Sequence, residues 1–296
     1  MSLLPSTWSG PRSYVGDVRS TCATFKWLLC AYREQFDRIF PGRKVRGAIT
    51  APDDWGPGTE RIELATAGGE RVVGLYAPAI RNDGPREAAA SPAPTILFFY
   101  GNDMSLHSSL PVLALLRRTG CNVLACDYVG YGLSTGRPSE RACYETADAA
   151  HAYARARAGD GSRVYAFGAS LGGAVAIDLA ARVPLAGLIT IVTFTSIADL
   201  ARLRIPAPFL RWFLIARFES ERKMRRVRCP ALICHSTDDE LIPFAMSDRL
   251  AAASAGRVER LNISRAGHSC AELVEIAGER VFQAIHQFVC GTQSHA

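Results

Sequence analysis

From Thr95 onward, the chain alternates short apolar segments with longer segments whose apolar residues recur at helical spacing. The apolar segments have the length and composition of strands: TILFFY (95–100), NVLACDY (122–128), RVYAFG (163–168), LAGLITIVTF (185–194), ALICHS (231–236) and RVERLNI (257–263). The longer segments predict helices near 105–119, 139–158, 170–182, 243–254 and 269–289. Such alternation is typical of a mostly parallel sheet with helices on both faces. We therefore predict the α/β class.

The earlier part of the chain follows other patterns. The segments ERIELAT and RVVGLYAP, joined by AGGE, predict an antiparallel hairpin. Residues 21–40 carry aromatic and aliphatic side chains at helical spacing before Pro41-Gly42, and they predict a helix. We assign this helix to an N-terminal extension (1–45) and the remainder (46–296) to one domain. Residues 195–228, between two strand ends, predict a short cap region.

The formal net charge of +6 is concentrated in two stretches of the chain. Residues 12–46 contain eight Lys and Arg against three Asp and Glu, and residues 202–228 contain nine against two. Apolar residues beside these arginines suggest peripheral contact with an anionic membrane surface. The alternative is a cap helix that covers the core and keeps its arginines in solvent. Aromatic base-stacking residues are not interleaved with the basic ones, so we expect no nucleic-acid partner.

The cysteine pattern indicates a reducing compartment. The sequence has nine cysteines, an odd number, and no CxxC pair of the metal-binding kind. Several, such as Cys126 and Cys234, lie in apolar strand segments, which is typical of buried reduced thiols. We find no signal peptide and no apolar run of membrane-spanning length, and we predict a cytoplasmic location. The oligomeric state does not follow from the sequence.

The segment YAFGASLGGA places Ser170 between Gly168 and Gly172, where a strand gives way to a helix. This G-x-S-x-G pattern between strand and helix is the signature of a nucleophile elbow, a tight turn that exposes the serine hydroxyl. The alternative is a loop serine that only caps the helix. The strand before it and the apolar helix after it favour the nucleophile.

A serine nucleophile needs a histidine base, and the histidine needs a carboxylate to orient it. Of the six histidines, only His268 lies in a loop between the last strand and the last helix. The turn after the ALICHS strand supplies the acid, for which we prefer Asp239, with Asp238 as the fallback and Glu240 as a weaker third candidate. Turns attract aspartate in any case, so one of the two is expected to serve only the turn.

Acyl transfer also requires hydrogen-bond donors for the oxyanion that forms on the substrate. The N–H of Leu171, at the start of the helix after the nucleophile, is the first predicted donor. The N–H of Asn102, in the GNDMS loop after the TILFFY strand, is the second. The alternative for Asn102 is a turn without a catalytic task.

These segments together resemble the α/β-hydrolase superfamily, and within it the Bem46-like group that includes alpha/beta hydrolase domain-containing proteins 13 and 17. The most specific stretch is CDYVGYGLSTGRPSERACYETADAA (126–150), which matches the group's D-Y-x-G-Y-G-x-S-x-G-x-P-S-E run. The resemblance covers residues 43–290. It implies an α/β-hydrolase fold with Ser170, Asp239 and His268 as the catalytic triad. It also implies that no metal or organic cofactor takes part.

Two positions depart from the pattern of the group. Tyr100-Gly101 stands where the group usually has His-Gly, and this exchange is expected to alter the oxyanion loop. His235-Ser236 stands where the group has a second His-Gly, and Ser236 is expected to stiffen the turn that carries the acid. Neither departure removes a member of the triad.

The function we expect is hydrolysis of a carboxylic ester or thioester through an acyl-enzyme, on an acylated or lipid-like substrate. Two alternatives stay open: a serine peptidase or amidase on the same fold, and a non-catalytic scaffold that retains the fold. The intact triad argues against the scaffold. A comparison of ester and amide substrates would separate the two enzymes.

Overall fold

The computed structural model describes residues 32–44, 52, 55–80, 93–159, 163–203 and 213–291. Its centre is one eight-stranded sheet in the order β1-β2-β4-β3-β5-β6-β7-β8. The strands are β1 (Glu60–Ala65), β2 (Arg71–Ala77), β3 (Thr95–Phe99), β4 (Asn122–Cys126), β5 (Val164–Ala169), β6 (Gly187–Ile191), β7 (Ala231–Ser236) and β8 (Val258–Ile263). The predicted hairpin β1–β2 is antiparallel, β2 pairs antiparallel with β4, and all other neighbours are parallel. The predicted fold class is confirmed.

Helices flank both faces of the sheet. They are α1 (32–39), α2 (Leu110–Arg117), α3 (Glu140–Ala158), α4 (Leu171–Ala180), α5 (Ile197–Arg202), α6 (Ser220–Met224), α7 (Ala245–Ala253) and α8 (Cys270–Gly291). The connection from β3 to β4 runs along the sheet in the opposite direction to the connections β4–β5 and β5–β6. Because parallel crossovers are right-handed, α2 lies on the opposite face from α3 and α4.

Burial of the strands explains their apolar composition. Every residue of β3, β5, β6 and β7 is buried, since both faces of these strands are covered. The edge strands β1 and β8 instead mix buried with partly or fully exposed positions. Cys126 and Cys234 are buried as predicted, and burial raises the pKa of each thiol to about 12.

Several predicted elements are shorter in the structure. The strand predicted over 185–194 ends at Ile191, because Val192 has a left-handed backbone (φ 45°) that breaks the extended run. Of the predicted N-terminal helix, residues 32–39 are helical, and residues 1–31 lie outside the described residues. The described part of the predicted cap contributes α5 and α6, while residues 204–212 lie outside it. Within the described residues, each helix is too short or too polar to cross a lipid bilayer.

Candidate active site

The parallel strands bring four loops to one edge of the sheet. The loops after β3, β5, β7 and β8 all leave the carboxyl ends of parallel neighbours. They carry Asn102, Ser170, Asp239 and His268 respectively. The carboxyl edge is where open α/β sheets bind ligands. Residues separated in sequence by as much as 166 positions (102 to 268) therefore lie in one region.

Ser170 occupies a sharp turn between β5 and α4. Its φ of 51° lies in the left-handed region, which a residue with a side chain adopts only under strain. Hydrogen bonds to both the N–H and the carbonyl of Ser170 hold the turn in place. The Ser170 N–H donates to the Ile191 carbonyl (3.0 Å), and the Ser170 carbonyl accepts from the Gly173 N–H (2.9 Å) and the Thr193 hydroxyl (2.7 Å). These bonds fix the backbone and leave the Ser170 hydroxyl for other contacts.

The two glycines of the G-x-S-x-G pattern are required by space. A Cβ on Gly168 would collide with the backbone of Gly172, and one on Gly172 would collide with the carbonyls of Phe99 and Tyr100. The start of α4 therefore lies directly against the end of β3. This contact brings the turn that carries Ser170 next to the loop that follows β3.

Ser170, His268 and Asp239 form a continuous chain of hydrogen bonds. Ser170 Oγ lies 3.0 Å from His268 Nε2, and His268 Nδ1 lies 2.8 Å from Asp239 Oδ2. A carboxylate only accepts hydrogen bonds, so Nδ1 carries the ring proton and donates a hydrogen bond to Asp239. The lone pair of Nε2 then faces the serine hydroxyl. The structure thus joins the three residues that the sequence pattern selects, in the tautomer that a general base requires.

Asp239 is fixed by its second oxygen. Asp239 Oδ1 accepts the N–H groups of Leu241 (2.9 Å) and Ile242 (2.8 Å). Burial alone would raise the pKa of Asp239, but the hydrogen bonds from His268 and from these two amides outweigh it and hold the pKa below its ordinary value. The carboxylate is therefore ionised and held in position beside His268.

The two less-favoured candidate acids, Asp238 and Glu240, lie elsewhere in the same turn. Asp238 is exposed and accepts from the Arg265 N–H (2.8 Å) and the Thr237 hydroxyl (2.9 Å), so it holds the turn and the loop after β8 together. Glu240 is exposed. Asp239 alone among the three contacts His268 through a hydrogen bond within the described residues.

His235 is a neighbour of the site that the sequence argument set aside. It is buried, its Nε2 donates to the Ile242 carbonyl (2.9 Å), and this nitrogen lies 3.6 Å from Asp239 Oδ2. Burial lowers the pKa of His235, so the ring stays neutral. A neutral ring beneath Asp239 supports the turn without competing with His268 for the negative charge.

Ser236, the second departure from the group's pattern, ties two loops of the site together. Its hydroxyl donates to the Ala266 carbonyl and accepts from the Asp238 N–H (3.2 Å). Ala266 lies two residues before His268. The side chain that replaces glycine therefore links the turn carrying the acid to the loop carrying the histidine.

The loop after β3 approaches the nucleophile as a tight turn. The Met104 N–H donates to the Gly101 carbonyl (3.2 Å), which leaves the Asn102 N–H outside the turn's own hydrogen bond. A Cβ placed on Gly101 would lie 3.7 Å from Ser170 Cβ, so this loop borders the Ser170 side chain. Leu171 is the first residue of α4, and first-turn amides have no acceptor within a helix.

The N-terminal extension packs on this turn. The Asn102 side-chain amide donates to the Arg38 carbonyl (3.1 Å), and the Asn102 carbonyl accepts from the Gly42 N–H (3.0 Å) and the Tyr131 hydroxyl (3.1 Å). A Cβ on Gly42 would overlap Tyr131 and crowd the Asn102 carbonyl at 2.7 Å. The end of the predicted extension therefore contacts Asn102 and helps to orient it. Local sequence patterns do not predict this contact.

Tyr100, which stands where the group usually has histidine, anchors the other side of the turn after β3. Its hydroxyl donates to Asp127 Oδ1 (2.8 Å), which also accepts from the Leu106 N–H (2.8 Å). The Tyr128 hydroxyl donates to the Tyr100 carbonyl (2.9 Å), and the two rings lie 4.8 Å apart between centroids. All of these side chains are buried. Burial raises the pKa of Asp127, and the hydrogen bonds from Leu106 and Tyr100 oppose that rise.

We found no group of three or more His, Cys, Asp or Glu side chains suited to a metal ion among the residues that the structure describes. The remaining histidines there lie away from Ser170. His107 starts a short 3-10 turn, His151 lies on α3, and His286 lies on α8 near the Thr119 carbonyl.

Comparisons with known proteins identify the family and the fold. Residues 94–211 match the family described as alpha/beta hydrolase fold. The chain is 32% identical over 239 residues to an uncharacterised protein of Mycobacterium tuberculosis, which covers 80% of this chain and 81% of the relative. It is 34% identical over 196 residues to alpha/beta hydrolase domain-containing protein 17B of Xenopus laevis, with 65% of this chain and 66% of the relative covered.

A solved structure supports the same fold. Esterase Pf2001 of Pyrococcus furiosus superposes with a TM-score of 0.64 at 18% identity, over 83% of this chain and 94% of the esterase. At that identity the likeness concerns the fold. Together with the sequence relatives, it leads to one assignment: the chain belongs to the α/β-hydrolase family, in the group of the alpha/beta hydrolase domain-containing proteins.

Proposed function

We propose that the protein is a serine hydrolase that cleaves a carboxylic ester or thioester through an acyl-enzyme. The observation that carries the proposal is the hydrogen-bonded chain from Ser170 Oγ through His268 to Asp239, with distances of 3.0 and 2.8 Å. A serine hydroxyl is a weak nucleophile on its own, and a base within hydrogen-bond reach makes it reactive.

The geometry supports a two-step reaction. His268 Nε2 accepts the proton of Ser170 Oγ as this oxygen bonds to the acyl carbon, and Asp239 stabilises the imidazolium that results. The negative charge moves to the former carbonyl oxygen, which the amides of Leu171 and Asn102 bind. When the tetrahedral species collapses, the bond to the leaving group breaks and His268 returns its proton to that group. Water, activated by His268 in turn, then releases the carboxylic acid and regenerates Ser170.

The test combines covalent labelling of the serine with a comparison of two substrates that differ in their leaving group. A fluorophosphonate should label one residue per chain, and peptide mapping should place the label on Ser170. Hydrolysis of p-nitrophenyl butyrate should then be compared with that of the matched p-nitroanilide. We expect the ester to turn over at least about tenfold faster than the anilide. A faster anilide would favour an amidase, and absence of both label and turnover would favour a scaffold.

Gly42→Ala tests whether the extension orients the oxyanion loop. The added Cβ would overlap Tyr131 and press on the carbonyls of Asn102 and Met104, at 2.7 and 2.8 Å. We expect kcat for p-nitrophenyl butyrate to fall by about 10- to 100-fold, because a displaced oxyanion donor weakens transition-state binding more than substrate binding.

The control for this variant is Gly291→Ala, since a Cβ at Gly291 meets nothing within 4 Å. Circular dichroism and thermal melting would establish that both variants fold. A folded Gly42→Ala protein with the kcat of the control would contradict a role for the extension in the site.

Tyr100→Phe tests the anchor on the opposite side of the loop. Removing the hydroxyl leaves buried Asp127 with one donor fewer on Oδ1, which costs about 1–3 kcal/mol of unfolding free energy. We expect a lower melting temperature and a lower kcat. Tyr100→His, which restores the residue usual in the group and can still donate to Asp127, should recover part of both. A variant Tyr100→Phe with unchanged stability would show that the hydrogen bond to Asp127 is not a structural anchor.

A further inference from the structure

The loop after β6 meets the Ser170 turn through a buried side chain. Ile191, the last residue of β6, accepts the Ser170 N–H at its carbonyl (3.0 Å), and the Thr193 hydroxyl donates to the Ser170 carbonyl (2.7 Å). Thr193 is 1% exposed, so this hydrogen bond is shielded from water. The segment 191–193 therefore holds both polar groups of the Ser170 backbone.

The residue between these two contacts has a strained backbone. Val192 has a φ of 45°, and a β-branched side chain is rarely found in this left-handed region. The Val192 N–H donates to the Cys234 carbonyl of β7 (3.0 Å), which ties the bend to the neighbouring strand. Strained residues persist where the surrounding structure holds them, and they are concentrated at functional sites. The bend at Val192 therefore suggests a task for the residue that follows it.

The first turn of α4 leaves room for Thr193. A Cβ on Gly173 would overlap the Thr193 side chain at both Oγ1 and Cβ. Glycine is unfavourable within a helix, so its presence here calls for a reason. Gly173 lies outside the G-x-S-x-G pattern, which ends at Gly172, and the close contact with Thr193 supplies that reason.

The Ser170 carbonyl belongs to the same peptide unit as the Leu171 N–H. A trans peptide unit is planar, and its C=O and N–H point in opposite directions. The two donors on the Ser170 carbonyl, the Thr193 hydroxyl (2.7 Å) and the Gly173 N–H (2.9 Å), therefore also fix the direction of the Leu171 N–H. The Gly173 N–H lies in the same helical turn and would rotate with it. Thr193 holds the peptide from a separate strand end.

We infer that Thr193 is a positioning residue that aims the Leu171 N–H at the oxyanion. The inference rests on the proposed hydrolase function, in which this amide binds the negative charge of the tetrahedral intermediate. An oxyanion donor is most effective when it is held in place before the charge develops, because no reorganisation is then needed during the reaction. Thr193 acts on the reaction through this peptide and does not itself contact the substrate.

Two substitutions at Thr193 separate positioning from packing. Thr193→Val removes the hydroxyl and keeps the branched shape, so kcat for p-nitrophenyl butyrate should fall about tenfold while KM changes less than about twofold. Thr193→Ser keeps the hydroxyl and loses a methyl group, so kcat should stay within about threefold of the wild type even where the melting temperature falls. A serine variant as slow as the valine variant would overturn the inference.

Thr190→Val is the matched control for the valine variant. Thr190 lies in β6, three residues before Thr193, and is also 1% exposed. Its hydroxyl has no hydrogen-bond partner among the residues that the structure describes, so the substitution should leave kcat unchanged. Circular dichroism would establish that the variants fold. A folded Thr193→Val protein with the kcat of Thr190→Val would overturn the inference.

An inhibitor that forms the oxyanion without a leaving group gives a second readout. With trifluoromethyl propyl ketone, Ser170 Oγ bonds to the carbonyl carbon, the hydroxyl proton passes to His268, and the carbonyl oxygen takes the negative charge. The Ki should rise about tenfold in Thr193→Val and stay near the wild-type value in Thr193→Ser and Thr190→Val. An unchanged Ki in Thr193→Val would overturn the inference. Absence of both turnover and inhibition in the wild-type chain would instead overturn the proposed function.

Discussion

Replacement of Ser170 by alanine is expected to lower kcat for ester hydrolysis by at least about 10³-fold and to abolish fluorophosphonate labelling. The reacting hydroxyl would be lost, while His268 and Asp239 would keep their own hydrogen bond. The turn should persist, because its hydrogen bonds to Ile191, Gly173 and Thr193 use the N–H and the carbonyl of Ser170 and not its hydroxyl. Any residual activity would measure what the oxyanion donors and binding contribute alone.

The measurement is the steady-state rate on p-nitrophenyl butyrate at matched protein concentration, with melting temperature recorded beside it. Ser254→Ala serves as the control, since this serine follows α7 and its hydroxyl, among the described residues, bonds to the nearby Gly256 N–H (3.3 Å). If Ser170→Ala retained more than a tenth of the wild-type kcat while folded, Ser170 would not be the nucleophile.

The architecture and the clustering of Ser170, Asp239 and His268 were predictable, because both depend on local patterns. Apolar segments of strand length, alternating with helices, predicted the parallel sheet. Parallel strands place their carboxyl ends on one edge of the sheet. Glycines on either side of Ser170 gave the elbow, since only glycine tolerates the close approach of strand and helix seen at Gly168 and Gly172. His268 followed from its place after the last strand.

Other parts of the site depend on which strands are neighbours and in what register. Tyr100 and Asp127 are 27 positions apart and meet because β3 and β4 are adjacent parallel strands. The contact of Gly42 with Asn102 joins the extension to a loop 60 positions later. No periodicity encodes such pairs.

Asp239→Asn is expected to lower kcat by about 10⁴-fold, through the tautomer of His268 rather than through loss of contact. The N–H groups of Leu241 and Ile242 both donate to the Oδ1 position, so the new amide would place its oxygen there. Its NH₂ group would then face His268 Nδ1 at the Oδ2 position. Because NH₂ donates, Nδ1 must accept, and the ring proton moves to Nε2. A protonated Nε2 cannot take the proton of Ser170.

The adjacent residue offers a matched control, since Asp238→Asn makes the same chemical change in the same turn. Asp238 accepts from the Arg265 N–H and the Thr237 hydroxyl and, among the described residues, makes no hydrogen bond to His268, so its replacement should change kcat by only a few-fold. The two variants should be compared in kcat, in melting temperature and in the rate of phosphonylation at Ser170. A large loss in Asp238→Asn with near-normal kcat in Asp239→Asn would reverse the assignment of the acid. A loss in Asp239→Asn without unfolding places the effect at the protonation of His268 Nε2, because the turn that holds residue 239 keeps its two amide bonds.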